Sequence, residues 1–339
     1  MSIDGATMWV THCPYCAGDR LLPEHSGLRD RLHVSRAVWS FSRCGDCGSL
    51  ILSPRPEPDA MAGYYPTAYT ITPGRKRAQG ALSAFVAHGE RLFFGLQDRT
   101  QRRRMIGGAK VTGASRPRLL DVGCGDGRRL QQYAALGLDV AGADFRSDST
   151  ASLRQAGVDV YECAVERLDE TVEPGSFDIV TASYVLEHVN DPRRMLSACR
   201  TVLKPGGWLA LAVPLAGCLQ DEYLGPRWSQ VNEVPRHMTI PSPRGLSLVL
   251  REAGLDELSM TPDSAIACAA MLTLSYIPES AASIVASDPT PRRVARRALA
   301  GAMLVPTTVW SLVENHVLHR PASVIVHARK AGREGSFSR

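Results

Sequence analysis

The chain has 339 residues, of which 44% are hydrophobic and 22% charged, and its formal net charge is +5. This composition is typical of a globular protein of about two domains, and nine cysteines in so long a chain exclude a disulfide scaffold. The mild charge does not by itself indicate a nucleic-acid partner, and the N-terminus lacks the pattern of a signal peptide. We therefore expect a cytoplasmic protein.

Residues 1–57 contain two Cys-x-x-Cys pairs, which are Cys13 with Cys16 and Cys44 with Cys47, separated by 27 residues. Four thiolates in two such pairs form the preferred tetrahedral shell of a structural zinc ion. The interval exceeds the usual 15–20 residues or so, and we expect it to carry a hairpin. The sequence therefore predicts an architectural zinc ribbon, with unrelated thiols or two redox pairs as the alternative.

Residues 58–114 are predicted to connect this ribbon to a larger domain. The run Pro54–Pro58 has three prolines in five residues and indicates a stiff linker. Residues 81–106 have the apolar spacing of an amphipathic helix with an arginine-rich end. Those arginines either complement the helix dipole or bind phosphate, nucleic acid or anionic lipid. Residues 107–115 indicate a flexible joint.

A glycine-rich loop follows the first strand of the larger domain, which is predicted over residues 115–339. The apolar run 118–122 predicts a buried strand, and Gly123, Gly125 and Gly127 turn the chain sharply into a helix. If this loop were a G-x-G-x-x-G/A dinucleotide-binding motif, Arg128 would stand at its third glycine position, which needs a small residue. The loop therefore does not fit a dinucleotide. A carboxylate at Asp121 suits a ligand with a positive end, such as S-adenosylmethionine (SAM). Asp144 ends the next strand, at the spacing of a residue that holds ribose hydroxyls.

The remaining pattern alternates strands and helices, which predicts a mainly parallel sheet covered by helices. Further strands are predicted at 158–161, 177–181, 208–213, 255–260 and 323–329, and helices at 149–156, 192–202 and 243–253.

Four motifs in order resemble those of class I SAM-dependent methyltransferases over about residues 115–260. They are Asp121-Val-Gly-Cys-Gly-Asp-Gly127, Asp144, residues 177–189 and residues 203–214. The resemblance implies a Rossmann-like α/β fold with a seven-stranded, mostly parallel sheet, and SAM as the cofactor. It is also similar to ribbon-bearing enzymes of glycan and natural-product pathways, in which a tyrosine-rich segment folds over SAM. The implied cofactor contacts are Asp121, Gly123, Cys124, Gly125, Asp144, Phe145, Ala164, Val165, Ser183 and Tyr69.

A loop-rich segment at 221–237 concentrates polar and aromatic residues just past a predicted strand end, where this family builds its acceptor site. His237 is the best candidate for a general base, because an imidazole titrates near the working pH, and Glu233 could orient it. His188 is either a supporting residue, as its relatives imply, or a second participant in the chemistry. The alternative is that Pro235-Arg-His237 is a structural corner. The candidate acceptor contacts are Tyr184, Tyr223, Trp228 and Arg236.

Residues 262–320 form an insert before the last strand. It contains two apolar runs, 265–277 and 298–313, with an arginine patch between them, and Pro306 interrupts the second run. Neither run reaches the length of about 18 residues that a membrane span needs. The insert is expected to be a helical lid or a homodimer face, with peripheral membrane contact through 265–318 as the alternative.

Taken together, the sequence predicts methyl transfer from SAM to a hydroxyl of a sugar, a lipid-linked glycan or another natural product. One alternative is an RNA methyltransferase, against which stand an aromatic content of only 6% and the absence of an Asn-Pro-Pro-Tyr-like tetrad. Another is a catalytically silent SAM-binding scaffold, against which stands the intact glycine loop.

Overall fold

A computed structural model describes residues 6–65, 101, 103–106, 116–277 and 291–331. The described residues build a seven-stranded sheet, a four-stranded sheet and a two-stranded pair. The predicted α/β class with a seven-stranded, mostly parallel sheet is confirmed. The strands are β1 (Thr7–Met8), β2 (Leu21–Arg29), β3 (Val38–Cys44), β4 (Leu50–Leu52), β5 (Arg55–Pro56), β6 (Arg118–Val122), β7 (Asp139–Asp144), β8 (Asp159–Glu162), β9 (Phe177–Ser183), β10 (Leu203–Pro214), β11 (Thr239–Ile240), β12 (Leu255–Pro262) and β13 (Ser323–Lys330).

The large sheet has the order β12-β13-β10-β9-β6-β7-β8. The five strands from β10 to β8 run parallel, and β13 is antiparallel to both β10 and β12. The strand order reverses at β6, which lies between β9 and β7. In open α/β sheets, ligands bind outside the carboxyl ends of the strands at such a reversal. This edge of the sheet is therefore where the site is expected.

The central strands are buried because parallel strands covered on both faces need continuous apolar runs. Leu119, Leu120 and Val122 of β6 and Ile179 and Val180 of β9 are all at most 2% exposed. The helices start where the sequence supplies caps, since Asp191, Ser242 and Ser264 each accept a backbone N–H of the first turn. The helices are α1 (Arg128–Ala134), α2 (Ser147–Gln155), α3 (Leu168–Thr171), α4 (Pro192–Val202), α5 (Leu219–Leu224), α6 (Pro243–Glu252), α7 (Ala265–Tyr276) and α8 (Pro291–His316).

The N-terminal sheet contains the predicted hairpin, because β2 and β3 pair as antiparallel strands between the two cysteine pairs. Its order is β11-β4-β3-β2, and β11 comes from the larger domain, between α5 and α6 in the sequence. The run Pro54–Pro58 does not act as a spacer. Its Arg55 and Pro56 form β5, which pairs with β1, and a 3-10 helix follows at Pro58–Tyr64.

The insert is helical, as predicted, and consists of α7 and α8 around residues that lie outside the description. Pro306 interrupts the second apolar run in the sequence but does not end the helix, because α8 continues through it. The hydroxyl of Thr307 bonds to the Met303 carbonyl at 2.7 Å and that of Thr308 to the Leu304 carbonyl at 2.6 Å. Within the described ranges, no helix combines the length and apolarity that crossing a membrane requires.

The predicted amphipathic helix at 81–106 falls mostly outside the described residues, as do the joint at 107–115 and the candidate Tyr69. Of that helix, residues 101 and 103–106 are described, and they are helical.

Candidate active site

The glycine loop after β6 is too crowded for side chains at two of its positions. Gly123 has a φ of +68°, and a Cβ built there would lie 2.5 Å from Cγ2 of Val185. Gly127 has a φ of +75°, and a Cβ there would lie 2.2 Å from Cδ2 of Leu153. Both positions combine a backbone conformation that favours glycine with close packing. The loop therefore holds its backbone N–H groups at the sheet edge where the strand order reverses.

The carboxylate of Asp144 lies against this loop, as the spacing predicted. It accepts a hydrogen bond from the Gly125 backbone N–H at 2.9 Å and another from the Arg146 N–H at 3.0 Å. The side chain is 7% exposed. The end of β7 and the glycine loop are thus fixed relative to each other.

Asp121 is a buried carboxylate next to the same loop. Its Oδ1 accepts a hydrogen bond from the Thr181 hydroxyl at 2.7 Å, across the β6–β9 pairing. Burial raises the pKa of Asp121 to about 6, although Arg129 and the Thr181 bond oppose that shift. A cation close to Asp121 would offset the cost of burying the charge.

Other candidate cofactor residues surround this edge. Ser183 ends β9, and its hydroxyl is buried with no hydrogen-bond partner among the described residues, which suits a polar ligand. Cys124 and Val165 are buried, and Ala164 precedes a short 3-10 helix. Phe145, which follows Asp144, is 40% exposed, so part of its ring can contact a ligand.

A cavity of about 220 Å³ opens beyond the end of β9. Its wall combines a residue of the N-terminal hairpin, the segment after β9, the predicted acceptor loop and helix α7. The insert therefore contributes directly to this cavity. The lining residues are Arg31, Tyr184, Glu187, His188, Gln230, Glu233, His237, Ala267, Ala270, Met271 and Leu274.

Two neutral histidines face each other in this wall, with ring centroids 4.6 Å apart. Nδ1 of His188 lies 3.1 Å from the Arg236 carbonyl, and Nδ1 of His237 lies 2.8 Å from the Gln230 carbonyl. A carbonyl oxygen can only accept, which assigns the proton of each ring to Nδ1 and a lone pair to Nε2; for His188 this assignment makes the Tyr65 hydroxyl, 3.0 Å from Nδ1, a second acceptor. Burial lowers the pKa of His188 to about 4 and that of His237 well below its usual value. Each Nε2 can therefore act as a base or as a ligand.

Glu187 is buried beside these histidines. It is 1% exposed, and its Oε2 has no hydrogen-bond partner in the part of the chain that the structure describes. Burial raises the pKa of Glu187 to about 8. Ligand atoms of Glu187, His188 and His237 all lie within 4.8 Å of one another.

The structure gives Glu233 and Arg236 a different role from the predicted one. Glu233 forms ion pairs with Arg31 and Arg236, and the Gln230 carbonyl, not Glu233, orients His237. Although burial alone would raise it, Arg31 and Arg236 lower the pKa of Glu233 to about 2. Arg236 is completely buried and also bonds to Asp30 at 2.6 Å. These groups join the ribbon to the acceptor loop, and Arg236 does not line the cavity.

The three candidate aromatic contacts separate in the structure. Tyr184 lines the cavity, and its hydroxyl donates to Asp263 at 2.6 Å. Trp228 is completely buried in the apolar core, and Tyr223 is 42% exposed. Neither Trp228 nor Tyr223 lines the cavity, where sequence reasoning had placed both.

Tyr65 links the two halves of the site and was not among the predicted residues. Its ring centroid lies 5.3 Å from that of Phe145, and its hydroxyl lies 3.0 Å from Nδ1 of His188. The tyrosine-rich segment was the available signal, although Tyr69 was chosen from it. Arg31 and the Gln230 carbonyl were also missed, since no local pattern marks them.

The four predicted cysteine ligands come together in the ribbon. Sγ of Cys13 lies 3.6 Å from that of Cys47, Sγ of Cys16 lies 3.5 Å from that of Cys44, and all four lie within 4.8 Å of one another. The hydrogen bond from Cys13 lowers the pKa of Cys47 to about 5. The donor set and its geometry fit a tetrahedral zinc ion.

Comparison with known proteins places these features in a family. Residues 91–259 match the model of a methyltransferase domain. The ubiquinone biosynthesis O-methyltransferase of Paraburkholderia phymatum is 44% identical over 98 residues, and that of Burkholderia ambifaria is 45% identical over 98 residues. Each match covers 27% of this chain and 42% of the relative. The chain thus spans about two fifths of the length of these curated relatives.

Solved structures of methyltransferases are also similar at low identity. A geranyl diphosphate C-methyltransferase from Streptomyces coelicolor A3(2) is 16% identical, with a TM-score of 0.44, covering 69% of this chain and 76% of that one. A putative sarcosine dimethylglycine methyltransferase from Galdieria sulphuraria is 17% identical, with a TM-score of 0.45, covering 73% and 87%.

Proposed function

Because this chain belongs to the class I SAM-dependent methyltransferases, we propose that it transfers a methyl group from SAM to a hydroxyl of a small molecule bound in the 220 Å³ cavity. One observation carries the proposal. Two imidazoles with Nε2 lone pairs line the cavity, and Tyr65 contacts both His188 in its wall and Phe145 at the sheet edge that carries the glycine loop. An electrophilic methyl group and a group able to take up a proton would therefore meet at one place.

The cofactor half of the site binds and orients SAM. In this proposal the loop at Gly123 and Gly125 lies against SAM, Asp144 holds the ribose hydroxyls and Asp121 faces the ammonium group. SAM supplies a sulfonium methyl group. Holding the acceptor oxygen in line with the sulfur–methyl bond supplies much of the rate through proximity and orientation.

The acceptor half of the site takes up the proton that the acceptor hydroxyl loses. As the oxygen–carbon bond forms and the sulfur–carbon bond breaks, the hydroxyl proton passes to an imidazole Nε2, of which His237 is our first candidate. The product pair is the methyl ether and S-adenosylhomocysteine. Burial lowers the pKa of both imidazoles, so each Nε2 is free of a proton at neutral pH but is a weaker base than an ordinary histidine, contrary to the expectation that His237 titrates near the working pH.

The volume of the cavity limits the size of the acceptor. Its volume is below the roughly 300–1,000 Å³ of a typical site for a drug-sized ligand, so we infer that one ring-sized end of the acceptor enters. Ala267, Ala270, Met271 and Leu274 of α7 would contact its apolar face. A sugar ring, including one on a lipid carrier, or a natural-product ring meets these requirements. The names of the curated relatives support an oxygen acceptor.

We further infer that the four cysteines hold a structural zinc ion and that the insert serves as a lid over the acceptor. α7 supports the lid, because it lines the cavity. This role is preferred over the dimer-face and membrane-contact alternatives for that reason.

The test begins with calorimetric titration of S-adenosylhomocysteine into wild-type protein, Asp144→Ala and the control Asp139→Ala. Asp139 lies at the opposite end of β7 and is exposed. We expect binding to wild type and to the control, and at least tenfold weaker binding to Asp144→Ala. A screen of sugar and lipid hydroxyls for methyl transfer then follows, with His237→Ala. Well-folded wild type that binds no S-adenosylhomocysteine would overturn the proposal.

A further inference from the structure

We propose that Glu187, His188 and His237 form a binding site for a divalent transition-metal ion in the wall of the acceptor cavity, separate from the ribbon cysteines. Their ligand atoms lie within 4.8 Å of one another. Two ligands on a tetrahedral ion with metal–nitrogen distances near 2.1 Å would be about 3.4 Å apart. Small rotations of the side chains close that difference.

Both histidines are already oriented as ligands. The Nδ1–H of His188 is held by the Arg236 carbonyl and that of His237 by the Gln230 carbonyl, at 3.1 and 2.8 Å. A metal-binding histidine almost always donates its second ring N–H in this way, which fixes the ring and the tautomer. With the proton on Nδ1, the Nε2 lone pair is the ligand atom that each ring has left to offer.

Glu187 supplies the carboxylate and an independent argument. Its side chain is 1% exposed, lines the cavity and has an Oε2 without a hydrogen-bond partner among the residues described. Leaving a buried carboxylate oxygen unpaired costs free energy that a bound cation would offset. The neighbouring carboxylate of Glu233 is instead already paired with Arg31 and Arg236. That pairing also neutralises Arg31, whose guanidinium would otherwise repel a cation from the cavity.

The donor set selects the class of ion. Two imidazoles and one carboxylate favour zinc, iron, cobalt or manganese over magnesium and calcium, which prefer oxygen ligands. Three protein ligands on a cavity wall leave coordination positions open toward the cavity, which is typical of catalytic rather than structural sites.

An open position would accept the acceptor oxygen, and this consequence rests on the proposed methyl transfer. A bound cation lowers the pKa of a coordinated hydroxyl, so its proton can leave to water before the oxygen attacks the methyl group. His237 would then act as a ligand instead of as a base. Metal binding itself does not depend on the protein being a methyltransferase.

The experiment titrates Co²⁺ into full-length protein loaded with a single equivalent of zinc, enough for the ribbon cysteines alone, and follows binding by calorimetry and visible absorption. Wild type and the control His316→Ala, an exposed histidine on α8, should each bind one Co²⁺ without the intense thiolate absorption of a cysteine site. Glu187→Gln and His237→Ala should each bind Co²⁺ at least tenfold more weakly. Glu187→Gln keeps the shape of the side chain, and unchanged binding of S-adenosylhomocysteine by both variants shows that they are folded.

Two results would overturn the site: no Co²⁺ bound by zinc-loaded wild type, or equal affinity in Glu187→Gln, His237→Ala and wild type. Because the readout is metal binding, the outcome is independent of catalysis. Co²⁺ binding with no methyl transfer to any acceptor would keep the metal site and count against the proposed function alone.

Discussion

Affinity for the amino-acid end of the cofactor should depend on pH through Asp121. This carboxylate is buried, and its pKa is raised to about 6 chiefly by burial. It is therefore ionised above pH 6 and neutral below. If Asp121 faces the ammonium group of the ligand, binding should be strong above that pH and weaken as the pH falls through it.

The size of the effect follows from the ionised fraction. With a pKa of about 6, the fraction of ionised Asp121 falls from about 0.9 at pH 7 to about 0.09 at pH 5. If binding requires the ionised form, the affinity falls about tenfold, which equals about 1.4 kcal/mol. The ammonium group of the ligand stays protonated over this range and contributes no pH dependence of its own.

The assay is calorimetric titration of S-adenosylhomocysteine at pH 7, 6 and 5, with wild type and Asp121→Asn. The variant should bind more weakly at pH 7 and show little change between pH 7 and 5. A second ligand, 5′-methylthioadenosine, shares the adenine, ribose and sulfur but lacks the ammonium and carboxylate groups. Its affinity for wild type should be nearly constant, which separates Asp121 from any group near the ribose.

Two results would refute this reasoning. One is an affinity of wild type for S-adenosylhomocysteine that stays constant from pH 7 to 5. The other is the same tenfold fall in Asp121→Asn, which would assign the titration to a different group.

Four further predictions concern stability and binding. Asp121→Asn should raise the unfolding free energy of the ligand-free protein at pH 7 by about 1–3 kcal/mol, because the raised pKa of Asp121 makes its ionised form oppose folding above pH 6. Thermal unfolding measured at lower pH should show this gain vanish near pH 4. Arg236→Gln should cost about 3–5 kcal/mol in denaturant unfolding, because it leaves Asp30 and Glu233 buried without this partner, whereas the exposed pair cut by Arg154→Ala should cost about 1 kcal/mol or less. Gly123→Ala should abolish binding of S-adenosylhomocysteine, since its Cβ meets Val185, and wild-type affinity would contradict the crowding. Metal analysis should find zinc in wild type and, in Cys16→Ser, loss of zinc with a lower Tm; wild type purified without zinc would refute the ribbon ion.

The parts of the fold that were predictable are those set by local sequence. Helix α4 was predicted with its observed bounds because Asp191 caps it and Pro192 suits its first turn. The core strands of the large sheet were predictable as continuous apolar runs. Asp121 and Asp144 could be placed at one edge because the carboxyl ends of parallel strands meet there.

The rest of the site depends on contacts between distant segments. Arg31 reaches Glu233 across about two hundred residues, and Tyr65 reaches His188 from the other side of the glycine loop. The expected pairing of Glu233 with His237 failed because two arginines, the buried Arg236 and the partly exposed Arg31, outcompete a neutral imidazole for a carboxylate.

The pairing of β4 with β11 has a consequence for synthesis on the ribosome. The partners Ile51 and Thr239 lie 239 − 51 = 188 residues apart in the chain. At about 5–20 residues per second, the outer edge of β4 waits about 10–40 seconds for its partner. During that interval the nascent ribbon presents an unpaired strand edge, which is a template for pairing with other chains. A ribbon transplanted onto another enzyme without Thr239 and Ile240 would keep that open edge permanently.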